Sequence, residues 1–267
     1  MSCQHYHKKE DEINENEIIK KVKIIIKKER LDLDYFFANE KNIDGVRFVK
    51  INANIRNMEG MFEGCSKLGV IQFSHFSAKN VTNMARMFNY CKRLQRIYWP
   101  RFNTKNVTDM REMFHGCSKL KELNLDNFNT NNVKNMEEMF YGCSSLEKLN
   151  LNNFKTDNAK NMEEMFYSCS SLKELNLNNF NTQNVTNMKR MFYGCSSLKK
   201  IKLDNFNTQN VTNMKYMFSG CSSLKKLNLN SFNTNNVTNI SYMFSGCSSL
   251  KKLKINNFSN LKKIKKE

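Results

Sequence analysis

The dipeptide Met-Phe recurs at Met61-Phe62, Met87-Phe88, Met113-Phe114, Met139-Phe140, Met165-Phe166, Met191-Phe192, Met217-Phe218 and Met243-Phe244. Every step is 26 residues and no insertion interrupts the eight units. A strict period of this length defines a quasi-one-dimensional array, in which each unit buries its apolar side only by stacking on its neighbours.

One unit runs from Phe128 to the residue before Phe154 and has two halves. Leu149 and Leu151, two apart, have the spacing of a strand with one buried face. Val133, Met136, Met139 and Phe140 have spacings of three, three and one, the stripe of a short helix. Gly142 stands where a helix C-terminus favours positive φ, and Thr108, Thr186 and Thr212 stand where a helix N-terminus favours a hydroxyl. The expected fold class is therefore α/β: a right-handed solenoid of 26-residue units, with a parallel sheet on the concave face and short helices on the convex face. Helices are fatter than strands, so they should force the curvature. Columns of Leu (Leu68 through Leu250) and of Phe (Phe76 through Phe258) should fill the core.

The expected organisation is a flexible tail at 1–9, an N-terminal helical cap at 10–45, the solenoid at 46–258 and a lysine-rich C-terminal tail at 259–267. The cap rests on an approximately helical stripe of Ile13, Ile18, Ile19, Val22, Ile25 and Ile26. With one proline and nine glycines in 267 residues, turns fall to asparagine pairs such as Asn131-Asn132 and Asn152-Asn153. Codon bias toward Asn, Lys and Ile accounts for their number equally well. Neither a secretory leader nor an apolar run long enough to span a membrane is present, so the expected protein is soluble, cytoplasmic and monomeric.

Eight of the nine cysteines (Cys65 through Cys247) repeat at the same interval. They lack the short Cys pairs of a zinc site and read as a ladder of buried thiols, with Cys3 outside it. His75 and His115 lie in different columns, and His115 is expected to be partly exposed. No nucleophile–base pair, phosphate loop or carboxylate pair stands out, so neither catalytic residues, metal ligands nor a cofactor are assigned.

Binding belongs where the columns vary. One unit brings Arg96, Tyr98, Trp99 and Arg101 together; Trp99 replaces a core leucine, while Arg96 and Tyr98 should face outward. With Asn124, Asn150 and Asn176 they form the candidate protein-binding surface, since such residues are enriched at interface hot spots. The formal charge is +18. Part of it forms a stripe of Lys200, Lys202, Lys226, Lys252 and Lys254, a candidate polyanion-binding surface for nucleic acid or acidic membrane. A solvated face explains the same charge.

The run Phe206-Asn-Thr-Gln-Asn-Val-Thr-Asn-Met-Lys-Tyr-Met-Phe-Ser-Gly-Cys-Ser-Ser-Leu-Lys-Lys-Leu-Asn-Leu229 resembles the 26-residue repeat of the BspA-like leucine-rich-repeat family of bacterial surface proteins and mycoplasma lipoproteins. The likeness extends from about Phe48 to Phe258. It implies a leucine-rich-repeat solenoid with adhesive or protein-interaction roles at a cell surface and no catalytic residues. The sequence carries no lipobox or wall-sorting tail, so a surface location would require export without a recognisable signal.

Overall fold

The computed structural model describes residues 21–26, 32–51, 54–73, 76–99 and 102–259. Each coil contributes one short strand. The strands are β1 (Lys21–Ile26), β2 (Gly45–Ile51), β3 (Val70–Phe73), β4 (Arg96–Tyr98), β5 (Glu122–Leu123), β6 (Lys148–Leu149), β7 (Glu174–Asn176), β8 (Lys200–Lys202), β9 (Lys226–Asn228) and β10 (Lys252–Lys254). All pairings are parallel, and from β3 onward the register equals the repeat, with Arg96 opposite Val70, Lys148 opposite Glu122 and Lys252 opposite Lys226. Hydrogen-bonded pairing is interrupted: β1 to β4 form one sheet, while β5–β6, β7–β8 and β9–β10 are separate pairs.

No helix occurs among the described residues, which corrects the expectation of an α/β fold. This is an all-β solenoid. The side chains expected on the buried helical stripe are indeed buried, since Val133, Met136, Met139 and Phe140 are all inaccessible, but the backbone carrying them is a ribbon of tight turns. Asn135 starts the ribbon by accepting the Glu137 N–H on Oδ1 at 3.0 Å, a local bond that competes with helix formation. Glu138 then takes a φ of 52°, which a continuing right-handed helix forbids.

Alternate N–H groups then leave the coil, while those of Met139 and Tyr141 turn back to the Met136 and Glu138 carbonyls. Met136, Glu138, Phe140 and Gly142 donate to the carbonyls of Asn161, Glu163, Met165 and Tyr167 at 3.3, 2.9, 2.9 and 2.7 Å. A helix would keep those bonds within the segment. This side therefore stacks coil on coil, and its bridges run without a lapse from Asn57 to Asn83, Asp109, Asn135, Asn161, Asn187, Asn213 and Asn239. It is the more continuous of the two flanks. Because both flanks repeat through strand-type contacts, the stated cause of a concave sheet and a convex helical side is gone.

The other helix signals have different roles here. Gly142 does take positive φ, at 65°, but in a turn. Thr108, Thr186 and Thr212 donate their hydroxyls to carbonyls of the preceding coil, at 3.2, 3.4 and 3.3 Å. Nor is the N-terminal stripe helical where it is described: Lys21–Ile26 is the strand β1, paired with β2. Ile13, Ile18 and Ile19 lie outside the described residues. The segment Leu33–Asn39 joins the stack, its Leu33, Tyr35, Phe37 and Asn39 N–H groups bonding to Asn57, Glu59, Met61 and Glu63.

Between the flanks lies one apolar core. Phe88, Phe114, Phe140, Phe166 and Phe192 stack face to face at 5.6–5.7 Å between centroids, at the separations favoured by aromatic pairs. A column of buried threonines, Thr104 through Thr234, ties the third corner; Thr130 Oγ1 donates to the Lys155 carbonyl and accepts its N–H, both at 2.8 Å.

Candidate functional site

The strand face presents one outward side chain on either side of each central apolar residue, because successive residues of a strand alternate faces. In β4 this leaves Arg96 and Tyr98 exposed, Tyr98 at 49%, about the half-buried Ile97. Trp99 turns inward at 5% exposure, as its place in a leucine column predicts. Its Nε1 donates to the Asn124 carbonyl at 2.7 Å, and its ring lies 4.8 Å from that of Phe128. This indole bond spans the point where pairing between β4 and β5 lapses.

An open trough overlies that lapse, lined by Arg96, Tyr98, Glu122, Asn124 and Asn150 with Gln72 and Gln95 beside them. A second trough overlies the lapse between β6 and β7, bringing Asn150 and Asn176 together with Lys200 and Lys202. Lys226, Lys252 and Lys254 continue beyond it on β9 and β10. Arg101 lies outside the described residues. The three asparagines are exposed but partly committed. Asn124, Asn150 and Asn176 each accept, on Oδ1, the N–H two residues on at 2.9, 3.1 and 3.2 Å, and Asn150 also donates to Asp126 Oδ1 at 3.1 Å. Their amides shape the turns that leave the strands.

Gln95 and Glu122 were not singled out by sequence reasoning as trough residues. Their signal was position: Glu122 flanks a strand leucine, Gln95 lies one residue before the Arg96 column, and both columns vary from coil to coil.

The turn flank carries a different set. Burial and the neighbouring Glu163, Glu138 and Glu112 raise the Glu137 carboxyl above its ordinary pKa. The cations of this flank are Arg86, 3.0 Å from Glu112, Arg111, 3.3 Å from Glu59, Lys189, 2.5 Å from Glu163, and Arg190, 3.1 Å from Glu164. His115, expected to be partly exposed, is 9% exposed. It is sandwiched between Tyr90 and Tyr141 at 4.9 and 4.3 Å, with Nδ1 2.9 Å from Glu138 Oε2. The ring stack continues through Tyr167 to Tyr193. His75 lies outside the described residues.

Cysteines Cys65 through Cys221 are buried and unpaired. Burial raises each thiol of the ladder, to about 12 for Cys65 and about 11 for the half-buried Cys247, which disfavours the nucleophilic thiolate. Among the described residues no group of three or more His, Cys, Asp or Glu side chains converges to hold a metal ion. Nor does any helix there have the length and apolarity to cross a membrane.

Stacked 26-residue coils, each with a short parallel strand and a leucine-lined core, define a leucine-rich-repeat-like β-solenoid. The chain belongs to the family described as "Mycoplasma protein of unknown function, DUF285", which matches residues 31–97, 98–177 and 170–267. No curated protein matches it. Similar solved structures include the T. pallidum leucine rich repeat protein, at 17% identity over 86% of this chain and 78% of that one, with a TM-score of 0.35. A leucine rich cell surface protein from Faecalibacterium prausnitzii A2-165 is 15% identical over 92% and 82%, with a TM-score of 0.36. A leucine-rich repeat protein from Eubacterium ventriosum is 15% identical over 83% and 68%, with a TM-score of 0.35.

Proposed function

We propose that the protein is a non-catalytic scaffold that binds a protein partner through its strand face, centred on the trough at Arg96 and Tyr98. The observation that carries this reading is the exposed Arg96–Tyr98 pair beside the anchored Trp99. A rigid backbone presenting an aromatic ring and a guanidinium loses little entropy on binding, and these residue types recur at interface hot spots. Glu122 and Asn124 add an acid and an amide within the same trough, so a partner can be read by charge and hydrogen bonding as well as by contact area.

The BspA-like reading of the repeat, with the adhesive role it implies, is supported by the F-N-T-x-N-V-T-N-M signature. It calls for a partner outside the cell. The test is to recover partners with the purified chain and measure the affinity of each purified partner for wild type, Arg96→Ala and Tyr98→Ala. A specific partner should lose about tenfold or more with either variant, while melting stays unchanged. Affinities equal to wild type in both variants refute this trough as the interface.

A further inference from the structure

The far end of the strand face carries a second surface of different chemistry. Register places Lys226 directly opposite Lys252, with Lys200 at the same position of the preceding coil. Lys199, Lys225 and Lys251 form a parallel row one residue earlier, and Lys202 and Lys254 flank the other side. All eight are exposed. Strand spacing of about 4.8 Å sets neighbouring ammonium groups in each row close together, and like charges opposite one another destabilise a sheet. The acid that meets this array is Glu174, 3.7 Å from Lys200, in a pair more than 60% exposed on both sides. Such a pair contributes little. The rows on β9 and β10 have no ion pair among the described residues, so nothing there offsets their repulsion.

We propose that this surface binds a linear acidic polysaccharide laid along the solenoid axis. A linear polymer with one carboxylate or sulfate per sugar spaces its charges on the scale of the strand spacing of about 4.8 Å, so anions turned to either side of its axis meet the two parallel lysine rows. Other polyanions fit less well. No exposed ring stands among the lysines to stack a base; the exposed aromatic of this face, Tyr98, is on β4, four coils away. The apolar residues between the lysines, Ile201, Leu227 and Leu253, pack against the core, leaving none to insert into a lipid surface. The surface shares no residue with Arg96 and Tyr98, so either assignment can fail alone.

The test uses the full chain with fluorescently labelled heparin and polygalacturonate, neutral dextran, a single-stranded DNA oligonucleotide and phosphatidylserine vesicles. Both acidic polysaccharides should bind, dextran should not, and affinity should fall steeply as salt rises. Lys226→Glu with Lys252→Glu should weaken binding about tenfold or more, with Lys226→Gln and Lys252→Gln as the milder pair should the charge reversal misfold. Arg96→Ala and Tyr98→Ala should leave it unchanged. Unaltered affinity in the folded lysine variants overturns the proposal. So does binding of the oligonucleotide or the vesicles as tight as that of the polysaccharides.

Discussion

The thiol of Cys143 donates to the carbonyl oxygen of Phe114, one coil back, at 3.2 Å. The same bond joins Cys91 to Phe62, Cys169 to Phe140 and Cys195 to Phe166, at 3.0–3.1 Å. The cysteine column is therefore a set of weak inter-coil rungs inside the core. The Phe114 carbonyl also accepts the Cys117 N–H, so losing one thiol does not orphan it. Cys143→Ala should cost about 1–2 kcal/mol, from lost packing and one weak hydrogen bond, read by urea denaturation. Thiol titration of native protein should label Cys143 only upon unfolding; rapid labelling would contradict its burial.

Leu149 and Leu151 share a strand pattern but not a depth: Leu151 is 1% exposed, whereas Leu149 is half-buried and packs on the core from its edge. Leu151→Asp should abolish cooperative melting, because it places an unpaired carboxylate in the core. Leu149→Asp should lower the melting temperature yet leave a folded protein, since its carboxylate can reach water. Equal effects in circular-dichroism melts would show the strand register to be misassigned.

These residues also mark what the sequence makes legible. Repeat length, coil stacking, the Leu, Phe and Cys columns and the outward direction of Arg96 and Tyr98 all follow from spacing, because burial acts on side chains and leaves its period in the sequence. The backbone path of Val133–Gly142 does not follow. A stripe of three, three and one is buried equally well by a helix and by successive turns, and the decision rests on where the N–H groups go. The clue was Asn135, repeated as Asn83, Asn161, Asn187 and Asn213, which binds the N–H two residues on and diverts the chain from a helix. The troughs were not legible either. They depend on lapses in pairing between particular strands, one of them bridged by the Trp99 indole.

Ser168 adopts a φ of 54° at a position where six other repeats have glycine at 65–76°. A side chain in this left-handed region is strained by roughly 1 kcal/mol. Ser168→Gly should therefore raise stability by a few tenths to about 1 kcal/mol, the gain reduced by the extra freedom of unfolded glycine. Gly220→Ala should do the reverse and more strongly. It meets the same strain at φ 76°, and its Cβ would approach the Gly194 backbone to 3.3 Å. Chemical denaturation of the two variants should move their midpoints in opposite directions.

Glu137 links the turn flank to pH. Burial, then the charges of Glu163, Glu138 and Glu112, raise its carboxyl above the unfolded value, against a smaller lowering by the Asn135 hydrogen bond. Protonation therefore favours the folded state. The stabilisation is complete below the unfolded pKa and is lost as pH rises through the folded one. At neutral pH the ionised side chain opposes folding. Glu137→Gln should raise the melting temperature at about pH 7 and have little effect near pH 4, where wild type is also protonated. A variant less stable than wild type at neutral pH would show that a favourable interaction of this carboxylate outweighs the repulsion.

Trp99 lies where the core and the candidate site meet. Its ring occupies the column filled by Leu125 and Leu151 in the next two coils, and its Nε1 bond to the Asn124 carbonyl holds β4 against β5 across the pairing lapse. Trp99→Leu restores the usual residue but removes that bond and leaves the surrounding Phe102, Phe114 and Phe128 underpacked. The expected cost is about 2–3 kcal/mol. If the indole fixes the trough, the variant should also weaken a partner bound at Arg96 and Tyr98, although Trp99 is itself 5% exposed. Affinity measured well below the melting transition separates the two effects. Lower stability with unchanged affinity would confine Trp99 to packing; weaker binding by the folded variant would show that the indole positions the surface residues beside it.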